Sequence, residues 1–463
     1  NDGQSDDGDD TNNTSRISSN GSSETVDFRN PTGSITIRAG EGNDSVTATD
    51  IDPFASPALN IEGEEGNDDL DASARTESVV LVGGTGDDTL TGGTAADRLN
   101  GQAGNDVVSG QTGDDSLLGG AGRDRLDGGD GNDRLLAQGN CDTLIGSAGS
   151  DLLSGGIGTD RLSASSDADM TLTDSQLIIG GDTQTLLAVD RASLAGGPAA
   201  NALDASGFTG PTTLSGAAGN DTLTGSTTPD VITLLKEIVD DDQILTDSSL
   251  TTGDGVTEID VLANIDRARL TGGATGNLLD ASAFSGPATL RGSGGDDTLI
   301  GSEQADRILG GTGSDLIEGR GGDDDVRAGA GNDTVDGGLG DDSIRASGGA
   351  DLLDGNAGND TLNGDFGRDT LIGGSGDDAL SGLAGADSLN GGSGTDTLIA
   401  GIGPDTLRGG GGDDILLGGD GDDLVDGQGG TDTVSGNDGD DTVVEPDEVN
   451  DEFSFYEDWI DRV

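Results

Sequence analysis

Gly119–Asp127 reads GGAGRDRLD, the next nine residues, Gly128–Leu136, read GGDGNDRLL, and far along the chain Gly373–Ser381 reads GGSGDDALS. The shared template is G-G-x-G-x-D-x-U-x, with U aliphatic. Working outward from Gly119 in steps of nine, the register holds without a slip from Gly83 to Ser163, nine nonads, and a second array from Gly292 to Val444 holds it for seventeen. The sixth position is aspartate in every nonad: Asp88, Asp97, Asp106, Asp115, Asp124, Asp133, Asp142, Asp151 and Asp160 in the first array, and Asp297, Asp306, Asp315, Asp324, Asp333, Asp342, Asp351, Asp360, Asp369, Asp378, Asp387, Asp396, Asp405, Asp414, Asp423, Asp432 and Asp441 in the second. The eighth is always Leu, Ile or Val. A low-complexity segment has no reason to keep an aliphatic residue at one fixed position of nine, so the period marks a folded repeat.

Three isolated nonads lie outside the arrays, at Ala39–Thr47, Gly63–Asp71 and Gly216–Thr224, with Asp44, Asp68 and Asp221 in the sixth position. A longer repeat surrounds them. Leu203-Asp-Ala-Ser-Gly-Phe208 and Leu279-Asp-Ala-Ser-Ala-Phe284 begin 76 residues apart, each leads through Gly-Pro into a nonad, and Leu70-Asp-Ala-Ser73 is a shorter copy. The organisation expected is a polar acidic tail (1–30), a solenoid-like segment with isolated nonads (31–82), array one (83–163), two related spacer units of about 76 residues (164–291), array two (292–444) and an acidic, aromatic cap or docking segment (445–463). That last segment holds Phe453, Phe455, Tyr456 and Trp459, four of the nine aromatic residues in the chain.

Composition narrows the chemistry. Of 463 residues, 87 are glycine, 30% are hydrophobic and 2% aromatic, and 21 Lys+Arg face 90 Asp+Glu for a net charge of −69. Little of this can form a packed core, so another source of cohesion is required. Histidine is absent and Cys141, Lys236, Tyr456 and Trp459 are each single, which excludes catalytic triads, zinc clusters, paired-cysteine redox centres and internal disulfides. The charge repels nucleic acid and anionic lipid and attracts cations, and carboxylates with backbone carbonyls favour hard divalent ones such as calcium. No apolar run approaches the roughly 20 residues that would span a bilayer, so membrane insertion is not expected.

Within a nonad the glycines permit left-handed backbone, the aspartate adds charge, and the polar-aliphatic-polar ending reads as a three-residue strand with one inward side chain. Two nonads make a coil. Coils stack as parallel strands roughly 4.8 Å apart, which sets the aspartates in columns that need cations between them. In these features the chain resembles the repeats-in-toxin family, a calcium-binding nonapeptide signature of parallel β-helix type. The resemblance implies a right-handed, all-β parallel β-roll with ions between neighbouring coils, held by glycine-loop carbonyls and the sixth-position aspartates. Where Ala95, Gln304 and Asn140 replace the fourth-position glycine, the sites at Asp97, Asp306 and Asp142 are expected to be weak or vacant. One ion per pair of stacked nonads gives on the order of 20 calcium ions.

The function expected is that of a non-catalytic extracellular structural protein, a surface, matrix or fibre component that folds on binding calcium. The alternative is the secreted carboxyl-terminal repeat portion of a larger toxin or hydrolase. Relatives that are enzymes carry a separate globular domain, and no stretch of this chain has such a composition. Calcium is the expected cofactor and partner; self-association into a fibre or surface layer is expected from the open ends of a solenoid.

Overall fold

The computed structural model describes residues 34–49, 58–228, 233–238, 243–252 and 258–444. The tail at 1–30 and the cap at 445–463 lie outside the described residues. Among those described there are strands and no helix, hence none long and apolar enough to cross a membrane. The chain divides into two compact units, Asn1–Thr233 and Leu234–Val463.

In the first unit, alternate nonads build two parallel sheets. Thr89–Thr91, Val107–Ser109, Arg125–Asp127, Thr143–Gly146 and Arg161–Ser165 form one, each strand pairing with the residue 18 places on, as in Thr89↔Val107 and Arg125↔Thr143. Val79–Thr85, Arg98–Ala103, Ser116–Ala121, Arg134–Gly139 and Leu152–Ile157 form the other with the same step. Eighteen residues are two nonads, so the coil is the one expected. The isolated nonads join it through longer loops, with Ile35 opposite Leu59 and Leu59 opposite Val79.

The eighth-position side chains from both sheets meet in a narrow interior: Leu90, Leu99, Val108, Leu117, Leu126 and Leu135 are each at most 1% exposed. Each contributes roughly 1.5–3 kcal/mol on burial, which makes this thin aliphatic stack the only sizeable apolar term in the coil. Many strands run six residues rather than the expected three, because the ladder continues through the third position of the next nonad, past a second position at positive φ, as in Gln102↔Gly120 and Ala103↔Ala121 after the first position of that nonad. The first position of the nonad also points inward. It holds glycine or alanine, as at buried Ala137, because a larger group there would press on the sixth-position carboxylate of its own nonad, as a Cβ on Gly110 would on Asp115.

After array one the sheet containing Leu152–Ile157 is extended by an antiparallel meander. Asp182–Leu187 pairs with Leu152–Ile157, then with Gln176–Ile179, which pairs with Met170–Thr173, and the last lies parallel to Ala202–Gly207. The opposite sheet continues in parallel through Arg161↔Arg191 and Ala192↔Thr212. The Leu-Asp-Ala-Ser segments turn the chain: Asp71, Asp204 and Asp280 each accept the N–H two residues on, at Ser73, Ser206 and Ser282, and Phe208 and Phe284 are buried behind the latter two.

The second unit uses the same parts. An antiparallel meander of Gln243–Thr246, Ser249–Thr252 and Glu258–Ala263 lies near its start. From Leu278–Ala283 and Ala288–Gly294 onward, two parallel sheets run to Thr442–Val444 and Thr433–Asp438; after a first step of 20 residues in one, Leu278↔Thr298, they advance by 18 per step, as in Leu371↔Leu389 and Leu380↔Leu398. Replacing a fully buried eighth-position side chain, Leu371→Ala, should lower the unfolding free energy of the calcium-loaded protein by about 2–5 kcal/mol, whereas Leu339→Ala, at a position 62% exposed, should change it by less than about 0.5. Denaturant titration of the two variants checks this; equal effects would contradict an interior built on the eighth position.

Candidate metal centre

The sixth-position aspartates line up in columns along each sheet edge, joined by one repeated hydrogen bond. The main-chain N–H of each donates to Oδ1 of the aspartate one coil later. In the first unit one column runs Asp44, Asp68, Asp88, Asp106, Asp124, Asp142, Asp160, with N···O distances of 2.8–3.0 Å, so the isolated nonads at Asp44 and Asp68 are members of it. A second runs Asp97, Asp115, Asp133, Asp151 and begins at the N–H of Val79. In the second unit one column runs Asp297, Asp315, Asp333, Asp351, Asp369, Asp387, Asp405, Asp423, Asp441. The other starts at the N–H of Ala288 and runs Asp306, Asp324, Asp342, Asp360, Asp378, Asp396, Asp414, Asp432.

This bond uses one carboxylate oxygen. At Asp44, Asp68, Asp88, every array aspartate from Asp106 to Asp160 and every one from Asp315 to Asp423, Oδ2 is buried with no hydrogen-bond partner. A buried anionic oxygen without a partner costs several kcal/mol, and here the cost recurs at every coil. Around that oxygen lies the Cα of the first-position glycine and, from the next coil, a main-chain carbonyl. A Cβ on Gly418 would sit 2.7 Å from the carbonyl oxygen of Gly436 as well as against Asp423 Oδ2. The pocket is a cradle of oxygens with no proton donor. Among the described residues no three acidic or thiol side chains converge on one point. A cation here would therefore take one or two carboxylates and complete its shell with carbonyls, which suits calcium's six to eight oxygen ligands.

The three altered loops separate into two kinds. In the loops of Ala95 and Gln304 the main chain closes on the carboxylate: Asp97 Oδ2 accepts the Gly93 N–H at 2.6 Å, and Asp306 Oδ2 accepts the Ser302 N–H while its Oδ1 takes the Ser302 hydroxyl at 3.1 Å. Asn140 instead adopts the left-handed backbone of the glycine it replaces, φ 76°, and Asp142 keeps an unpartnered Oδ2. Asparagine tolerates that region because its short side chain is compatible with it. The expectation for Asp142 thus differs from the geometry, and the reason is the identity of the replacing residue.

Several participants were not singled out in the sequence. Asn201 and Asn277 occupy the sixth position of the nonads at 196–204 and 272–280, where their Oδ1 accepts the N–H of Gly197 and Gly273 at 2.8 Å and their own N–H donates to Asp221 and Asp297. The flanking Gly-Gly and Leu-Asp would have revealed them had asparagine been allowed for aspartate. Asp190 extends the first column, accepting the Asp160 N–H at 2.8 Å after a 30-residue step that hides it from a nine-residue search. The fifth position, left open in the template, carries an exposed ladder of opposite sense: Asn105 N–H donates to Asp87, Asn359 to Asp341 and Asp377 to Asn359. Its frequent Asn, Asp and Ser were the available signal.

Burial raises the pKa of the column aspartates from Asp88 to Asp160 and from Asp306 to Asp423, partly offset by the accepted N–H, and at many of them neighbouring carboxylates raise it further. Asp106, Asp115, Asp151 and Asp360 are pushed up to about 7 and Asp324 to about 8. An acid whose pKa is higher folded than unfolded holds its proton more tightly in the fold, so stability is fully present below the unfolded value of roughly 4 and is lost as pH rises through the folded one. The metal-free chain should therefore gain strand signal in circular dichroism as pH falls from about 8 to about 4, protons standing in for cations. A metal-free signal that declines on acidification would contradict these environments.

The family described as RTX calcium-binding nonapeptide repeat (4 copies) matches residues 80–108, 109–139, 142–170, 206–233, and overlapping segments that together run from 282 to 443, more than half of the chain. No curated protein matches it.

Proposed function

Since the chain belongs to the RTX calcium-binding nonapeptide repeat family, whose repeats bind calcium, we propose that it is a secreted, non-catalytic structural protein assembled by that ion. The observation that carries this reading is the buried, unpartnered Oδ2 at coil after coil. A fold with that many unsatisfied anionic oxygens is poorly stable alone, so ion binding and folding form one equilibrium. Calcium bound there would supply the charge that the interior lacks. The sixth-position aspartates would hold it together with first-half carbonyls, at the array positions from Asp88 to Asp160 and from Asp297 to Asp441, with Asp97 and Asp306 contributing least. On the order of 20 ions would be held by the two arrays.

The six-part division set out from the sequence belongs to this proposal: two calcium-built arrays, spacer units between them with Asn201 and Asn277 in place of aspartates, and terminal segments that serve as tail and cap. An extracellular setting fits because calcium there reaches the millimolar range suited to weak, repeated modules. Catalysis is unsupported by composition: the chain has no histidine, one cysteine and one lysine, and the buried carboxylates are engaged by main-chain N–H groups.

Calcium calorimetry with circular dichroism on two conservative variants tests the assignment. Asp360→Asn should remove about one to two bound ions and shift the folding midpoint to higher calcium, because its Oδ2 is orphaned, while Asp306→Asn, whose Oδ2 already has a donor, should leave the number of bound ions nearly unchanged. Equal losses, or a strand signal untouched by excess chelator, would reject it.

A further inference from the structure

The outward rows of the second unit are sorted by charge. Position eight points inward, so positions seven and nine of every strand face out, away from the interior on opposite sides of the two sheets. On one sheet the seventh-position row runs Arg269, Thr289, Arg307, Asp325, Ser343, and the ninth-position row runs Thr271, Arg291, Leu309, Arg327, Arg345. With Arg267 on the first of these strands that is six arginines, all exposed, against one acid. On the other sheet, over the same coils, the ninth-position row runs Glu318, Asp336, Asp354 with no cation between them. A chain with 21 basic and 90 acidic residues has thus gathered nearly a third of its cations on part of one face.

Neither row is arranged for its own stability. Arg327 lies directly opposite Arg345, and Asp336 lies between Glu318 and Asp354, and like charges on adjacent strands destabilise a sheet. Internal partners cover part of the basic face: Arg307 and Arg327 share Asp325 at 3.6 and 3.9 Å, and Arg345 is paired with Asp365 at 2.6 Å. Arg267, Arg269 and Arg291 form no ion pair among the described residues. Both rows repeat at the strand spacing of roughly 4.8 Å, so Glu318 and Asp354 of one molecule, two strands apart, match Arg291 and Arg327 of another, also two strands apart with Leu309 between them.

We propose that a second copy of this chain docks laterally on the arginine face, seating its Glu318, Asp336 and Asp354 row along Arg291, Arg327 and their neighbours. The contact joins two different faces, so each molecule keeps a free face of each kind and the association is open-ended, giving rafts or layers rather than closed dimers. Approaches that oppose two acidic rows are disfavoured by like-charge repulsion, which favours seating an acidic row on a basic one. The inference rests on calcium-driven folding, because the rows exist only in the coiled state.

Sedimentation velocity of the full-length chain in calcium, with circular dichroism on the same samples, tests it. At about 20 mM NaCl the wild type should form concentration-dependent oligomers, and about 300 mM NaCl should weaken them at least about tenfold without loss of strand signal. R291E/R327E and E318K/D336K/D354K should each stay monomeric alone and associate when mixed, because the first has lost the docking arginines but keeps the acidic row, and the second has lost the acidic row but keeps the arginine face. R291Q/R327Q serves if reversal impairs folding, and should weaken association in the same direction. A folded wild type that remains monomeric at low salt, including one that binds dextran sulfate through Arg291 and Arg327, overturns the second-copy assignment, as do reversed variants that fail to co-assemble. A chain without strand signal in calcium overturns the folding proposal together with this one.

Discussion

One hydrogen bond, repeated at every coil, decides the rest: the N–H of a sixth-position aspartate given to Oδ1 of the aspartate one coil on. It fixes the strand register at 18 residues and places each carboxylate inside the edge of the roll. It also leaves the second oxygen buried and without a donor. Strand pairing and charge burial are therefore the same event, and the interior cannot be completed by side chains alone. The aliphatic stack is too thin to offset that charge, since each nonad adds one leucine-sized group.

The glycines answer to the same constraint. The first is held to glycine or alanine because the carboxylate crowds the space beyond its Cα, and the fourth must reach positive φ, as at Gly358 with φ 140°, while passing close to Gly340 of the preceding coil. Asn140 keeps that conformation without being glycine, whereas at Ala95 and Gln304 it is lost and the loop folds onto its own aspartate. A substitution at the fourth position thus acts through the backbone, by handing Oδ2 a donor, rather than by removing a ligand.

Much of this was legible in the sequence. The invariant aspartate and aliphatic positions gave the coil, the columns and the nature of the cation, because a period of nine with one charge and one apolar group admits few packings. Less was legible where the fold breaks the period. Asp190 joins its column across a 30-residue step, and Asn201 and Asn277 hold the aspartate position without its charge. The exposed fifth-position ladder was hidden because any of several polar residues can accept the same N–H. The sorting of Arg291, Arg327 and Arg345 from Glu318, Asp336 and Asp354 becomes visible only when nonads are read alternately, in the two sheets they build.

A solenoid of this kind behaves as a sum of coil terms and neighbour terms, so charge neutralisation at one coil assists the next and the whole should respond steeply to calcium. The most direct measurement is hydrogen exchange of the sixth-position amides in the second unit, from Asp324 to Asp414, with calcium and with excess chelator. The account predicts strong protection with calcium and exchange near unfolded rates without it at neutral pH, since each amide is held only while the carboxylate one coil on is kept in place. Protection at those amides that is unchanged by removal of calcium would contradict it.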